Sequence, residues 1–237
     1  MNEARPYRQV RFEHPAGAAH LVLVRHGESE PAQPGRPFPL VAGHGDPQLA
    51  PLGHRQAERV AERLAGEPID AIYVTTLRRT AQTAEPLARQ LGLHPQVEAE
   101  LREVHLGEWE GGLYRQRVIE GDPLALRMLA EQRWDVIPGA EPSDAFAERV
   151  QGAIARVAAR HPDQQVAVFT HGGVIGQTLS LATGASRFAF AGADNGSISR
   201  LVVDPRRWVV RSYNDVAHLE TADLVSPQAT PGNADRG

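Results

Sequence analysis

The chain has 237 residues, a formal net charge of −4 and no cysteine, which excludes disulfides, thiolate nucleophiles and Cys-ligated metals. The mild acidity and the lack of a long basic run argue against a nucleic-acid partner. No apolar run reaches membrane-spanning length and Met1 to Gln9 do not resemble a signal peptide, so a cytoplasmic globular protein is expected.

Residues 1–19 read as an irregular N-terminal extension, interrupted by Pro6, Pro15 and Gly17. His20 to Val24 is a short apolar strand. A Pro/Gly-rich loop runs from Glu30 to Pro51, long enough to suggest function. Ala57, Val60, Ala61 and Leu64 have helical spacing, which predicts a helix from Leu52 to Ala65, stopped at Gly66. Ile69 to Val74 reads as a second strand, followed by a helix from about Leu77 to Leu91 with Gly92 as its stop. A short strand is expected near Pro95 to Ala99. From Leu101 to Pro142 the pattern is mixed, with a helix near Pro123 to Gln132. Ser143 to Arg160 is a helix with Phe146, Val150, Ile154 and Val157 on one face. Val166 to Thr170 is nearly all apolar, as in a strand buried on both faces, and a helix follows from Val174 to Ala182. Two late strands, Ser197 to Val203 and Trp208 to Asn214, can pair through the turn at Asp204 to Arg207. The tail from Thr221 is polar and reads as disordered. This alternation predicts an α/β fold: a three-layer α/β/α sandwich with a mostly parallel, mixed central sheet.

Three strand ends repeat one theme. The first strand ends at Arg25-His26-Gly27, the second leads into Leu77-Arg78-Arg79, and the third ends at His171-Gly172-Gly173. If these strands are parallel neighbours, two imidazoles and two or three guanidinia meet at one sheet edge. Helices starting there add backbone N–H groups and a positive dipole end. That is a phosphate pocket. Every basic residue other than histidine is Arg, with no Lys. Arg suits phosphate through its planar fork, although coding bias in an Ala- and Gly-rich chain is the simpler origin. Either way, no lysine-based Schiff base or P-loop is available. His44 and Asp46 could be a metal pair, but their spacing in a Gly/Pro loop is weak support.

With these blocks in order, the chain resembles the histidine phosphatase superfamily, also called phosphoglycerate-mutase-like. The opening block is Arg25-His26-Gly27-Glu28-Ser29. Gly43-His44-Gly45-Asp46 with Leu49, Gly53, Gln56 and Ala57 follows. Then come Thr75-Thr76-Leu77-Arg78-Arg79-Thr80-Ala81-Gln82-Thr83-Ala84, Leu101-Arg102-Glu103, Gly107-Glu108-Trp109-Glu110-Gly111, Pro138-Gly139-Ala140-Glu141 and Thr170-His171-Gly172-Gly173. Thr80 departs from the family's usual Ala, and Thr precedes Leu77 where Ser is usual.

The resemblance implies one catalytic domain over residues 20–218, with an insertion at about 104–142. It implies a phosphatase acting on a small phosphomonoester, without metal or cofactor. His26 would be the nucleophile, forming a phosphohistidine that splits one hard transfer into two easier ones. Arg25, Arg79 and a protonated His171 would stabilise the equatorial oxygens, and Glu103, with Glu108 as the next candidate, would serve as general acid and then base. Ser29, Gly43 and Gly172 would lie against the substrate. Arg78 would point to solvent or the rim, and Glu141 would support the fold or the pocket edge. The segment Tyr114 to Pro123 lacks the Arg-Arg-Ser-Tyr-Asp-like stretch and the lysines of the mutases. That favours a phosphatase over a cofactor-dependent mutase, and its two arginines could hold a substrate anion. A catalytically silent phosphate-binding scaffold is the remaining alternative. The loops around the pocket, not its core, would set the substrate, and the sequence leaves substrate and oligomeric state open.

Overall fold

Alternate residues of one strand serve two cores. In β1 (Ala19–Arg25), Leu21 and Leu23 face one side of the sheet, and Val22 and Val24 face the other. The period-two geometry of a strand requires this, and it fits the apolar run read from the sequence. In this computed structural model, which describes residues 7–220 and Leu224, β1 lies inside a six-stranded sheet. The strands are β4 (Ile69–Val74), β5 (Gln96–Val97), β6 (Gln165–Thr170), β7 (Ile198–Val203) and β8 (Trp208–Asp215), in the order β5-β4-β6-β1-β7-β8. A separate two-stranded ribbon joins β2 (Leu40–Val41) to β3 (His44–Gly45).

The expected mixed sheet is present. β4, β5, β6 and β1 run parallel, while β7 and β8 add antiparallel pairing at one side. α1 (Pro51–Leu64) and α2 (Arg78–Leu91) cover the face of Val22 and Val24. α5 (Ser143–Arg160) and α6 (Gly172–Thr183) cover the other. The four residues predicted on one face of α5, Phe146, Val150, Ile154 and Val157, are all fully buried there.

The segment between the last two helical layers builds a small cap. α3 (Leu113–Ile119) and α4 (Pro123–Glu131) surround a separate cluster of Trp109, Ala125, Met128 and Ile137. α3 was not foreseen: seven residues after Gly111-Gly112 give too short a period to detect. The β2–β3 ribbon was also read only as loop. Residues 7–18 are irregular up to β1. The expected disordered tail lies outside the described residues except Leu224. That residue is buried, and its carbonyl accepts from Gln56 Nε2 at 2.9 Å.

Candidate active site

β6 lies between β1 and β4, so the carboxyl ends of all three parallel strands open on one side. His26 follows β1, His171 follows β6, and Arg79 lies in the first turn of α2 after β4. This is the convergence anticipated from the strand ends, with β6 as the central member. Ligands bind at such strand ends in open α/β sheets.

His26 is buried, and both of its ring nitrogens are engaged. Nδ1 donates to its neighbour's carbonyl, Gly27 O, at 2.7 Å. Nε2 accepts from Arg79 Nε at 3.2 Å. The pair of contacts fixes the tautomer with the proton on Nδ1 and a lone pair on Nε2. Burial, then Arg79 and Arg25, hold the His26 pKa well below its ordinary value. The main chain here is clamped: Asn195 Nδ2 donates to His26 O at 2.9 Å, and Gly27 N donates to Thr83 Oγ1 at 3.0 Å. Space is equally tight. A Cβ on Gly53 would lie 2.0 Å from Glu28 O, so α1 can begin against the His26 loop only through a glycine.

His171 is fully buried, with its ring centroid 5.2 Å from that of His26. Its Nε2 meets Thr75 Oγ1 at 3.1 Å, and its Nδ1 has no hydrogen-bond partner. Arg25 Nε is likewise buried and unpartnered. Unpaired buried polar atoms are rare and call for a cause. Here two of them belong to residues of one site, Arg25 before His26 and His171 beside it. Burial, then Arg79, His26 and Arg25, push the His171 pKa well down. The expected protonated His171 is therefore corrected for the free protein: cations surround the ring, and the neutral form prevails. Burial lowers Arg79 to about 10, which leaves it a cation at neutral pH.

Glu103 lies in the loop after β5. Its Oε1 accepts from Val104 N at 3.0 Å and its Oε2 from Gly173 N at 3.2 Å. Gly173 leaves the space, since a Cβ there would stand 2.4 Å from Glu103 Oε1. The loop itself hangs on Arg149 of α5, which sequence reasoning missed. Arg149 donates to the carbonyls of Glu100, Arg102 and Glu103 at 2.6, 2.8 and 2.9 Å. It also grips both Glu141 oxygens at 2.6 and 2.8 Å. Burial works to raise the Glu141 pKa, but Arg149 overcomes it and holds the carboxyl below its usual value. Glu141 thus has the supporting position expected of it.

Arg25, His26, Arg79 and Glu103 line a cavity of about 220 Å³. Its remaining walls come from the long loop and the cap, including Phe38, His44, Trp109, Tyr114, Arg115 and Trp134. Four residues expected at the substrate, Ser29, Gly43, His171 and Gly172, are not among those lining this cavity. Gly43 sits at the β2–β3 turn, with φ +83° and packed towards His105, and does not line this cavity. The Ser29 hydroxyl is turned away and accepts from Arg115 Nη2 at 2.7 Å. Gly172 opens α6 beside Arg25, where a Cβ would be 3.4 Å from Arg25 Nε. Asp46 accepts from Arg78 N and Nε, both at 2.8 Å, so it is tied to Arg78. Among the described residues no group of three or more His, Asp or Glu side chains is placed to hold a metal ion, and no helix is long and apolar enough to cross a membrane.

The model of the histidine phosphatase superfamily, branch 1, matches residues 21–216. The chain belongs to this family. It is 34% identical over 206 residues to a phosphoglycerate mutase-like protein 4 of Arabidopsis thaliana, covering 85% of this chain and 87% of that one. It is 32% identical over 210 residues to a metal-independent phosphoserine phosphatase of the same plant, covering 86% and 85%. Among solved structures, a mycobacterial glucosyl-3-phosphoglycerate phosphatase superposes with a TM-score of 0.68 at 28% identity, covering 83% of this chain and 99% of that one. The chain is accordingly a phosphoric monoester hydrolase of the histidine phosphatase type.

Proposed function

We propose that the protein hydrolyses a small phosphomonoester through a phosphohistidine on His26, with no metal. The observation that carries this reading is the neutral His26 ring, whose Nε2 lone pair accepts from Arg79 Nε in a site that also holds the buried, unpartnered Arg25 Nε and His171 Nδ1. A phosphoryl group set against Nε2 would supply acceptors for both orphaned nitrogens.

In the first step Nε2 attacks phosphorus and the bond to the leaving oxygen breaks. Glu103 gives that oxygen a proton. In the second step the Glu103 carboxylate takes a proton from water, which attacks phosphorus. The N–P bond breaks and phosphate leaves. Arg25 and Arg79 neutralise the equatorial oxygens in both steps. His171, neutral when the site is empty, gains a dianionic neighbour on binding and then has reason to take up a proton. The α6 N-terminus, opening at Gly172, adds backbone donors. The cavity, about 220 Å³, is smaller than the roughly 300 to 1,000 Å³ of typical ligand pockets, and two relatives carry names of phosphatases for small phosphorylated acids.

The test is phosphate release from a panel of phosphomonoesters, with and without EDTA. EDTA-resistant release that disappears in His26→Ala supports the reading. Interconversion of phosphoglycerates without net phosphate release would replace it with a mutase.

A further inference from the structure

Arg115 is a cation of the cavity that the phosphoryl chemistry leaves unused. It comes from α3 in the cap, not from a strand end. Its Nη1 donates to Glu30 O at 2.8 Å and its Nη2 to Ser29 Oγ at 2.7 Å. The guanidinium lies 5.4 Å from the centre of the Phe38 ring. These three contacts hold a long side chain in one pose, which removes much of the entropy cost of using it for binding. Two of the five guanidinium N–H groups are engaged, so donors remain for a ligand.

The surroundings fit an anion on the leaving group. Burial, then Arg25, lowers the Arg115 pKa, the response of a cation near another cation with little water. Its neighbour Tyr114 also lines the cavity, and burial, then Glu103, raises that phenol to about 12, so it stays a donor. Arg117, the other arginine of this segment, pairs with Asp122 at 3.2 Å and does not line the cavity. Arg115 also walls a second cavity of about 670 Å³ under the Pro-rich loop, so its side chain is shared by the walls of both cavities.

Resting on the phosphatase reading above, we propose that Arg115 determines specificity by taking a carboxylate carried by the leaving alcohol. A planar carboxylate matches the guanidinium fork with paired, charge-assisted bonds. Ser29 then acts through Arg115, as a positioning residue, without touching substrate.

The experiment uses two matched pairs of probes that differ at the carboxylate: O-phosphoserine against phosphoethanolamine, and 3-phosphoglycerate against glycerol 3-phosphate. The full chain should favour the acid of at least one pair by at least about tenfold in kcat/KM, since a site built for a polar group rejects the analogue lacking it. Arg115→Gln should collapse that preference, chiefly through KM of the acid. Arg115→Lys should restore part of it, and Ser29→Ala should weaken it less than Arg115→Gln. Equal losses on acid and analogue would mean that Arg115 serves the phosphoryl group or the fold, and would overturn the proposal. So would an acid preference that survives Arg115→Gln, or no preference in the unaltered chain. Those results leave phosphate release by His26 intact. Failure of every probe to release phosphate would instead sink the phosphatase reading, and this proposal with it.

Discussion

Arg79 Nε donates to His26 Nε2 across 3.2 Å, on a ring whose Nδ1 proton is already given to Gly27 O. One guanidinium thus aims the reactive nitrogen and, second to burial, its charge helps keep that nitrogen unprotonated. Arg79→Gln should lower kcat by about 100- to 1,000-fold, the usual cost of losing one aimed donor. It should also raise the His26 pKa, because a cation is removed from beside it. Steady-state kinetics and imidazole NMR titration check the two effects together. A large kcat loss with an unmoved His26 titration would show that Arg79 does not set its charge.

The free protein should lose stability as acid charges its buried histidines. His26 and His171 are both held well below their ordinary value of 6.5, first by burial and then by Arg79. Below pH 6.5 the unfolded chain protonates these rings while the fold does not, so the unfolded state binds more protons. Stability is therefore fully present above that pH and falls as pH drops towards the folded values. Each ring contributes about 1.4 kcal/mol per pH unit within that window. Urea titrations at a series of pH values should show this decline without phosphate, and a smaller one with phosphate bound. Stability that rose on acidification from neutrality would contradict the burial of both neutral rings.

Gly173→Ala separates position from folding. The added Cβ would stand 2.4 Å from Glu103 Oε1, the free end of a side chain. The carboxylate can swing away, so the fold should survive with a Tm shift of a few degrees, while kcat falls by about 100-fold or more with loss of the general acid. Unchanged kcat would remove Glu103 from the chemistry.

Arg149→Ala should act through the loop that it holds. The change leaves the partly buried Glu141 with only the His105 N–H as a partner and frees three carbonyls of the Glu103 loop. Breaking a partly buried, hydrogen-bonded pair from one side should cost about 1 to 3 kcal/mol, less than a fully buried one. Thermal denaturation should show that loss. At a temperature where the variant is folded, kcat should still be depressed, because Glu103 is no longer located.

The sequence was readable where function lies close to strand ends. Arg25 ends β1, His26 follows it directly, and His171 follows β6, so finding the strands nearly located the residues. The sandwich was readable because strands alternate with helices of strong 3.6-residue period, α5 above all. The cap was not. Whether Tyr114, Arg115 or Arg117 faces the cavity depends on how α3 packs on Trp109 and Phe38, which no local pattern encodes. Arg149 was invisible for the same reason: it lies 46 residues from the Glu103 carbonyl that it holds. Ser29 and Gly43 were placed at the substrate by motif position. The structure turns the first towards Arg115 and uses the second in a left-handed turn. His171 was expected charged because its phosphate partner was assumed, and its neighbours in the free site are cations.

The central claim is that His26 Nε2 carries the phosphoryl group between substrate and water. Rapid quench under conditions that preserve phosphoramidates, followed by peptide mass spectrometry, tests it most directly. The phosphoryl group should be found on His26 during turnover, be lost on chase with unlabelled substrate, and be absent in His26→Ala, which should also lose phosphate release. Phosphoryl label on another residue, or undiminished turnover by His26→Ala, would contradict the account.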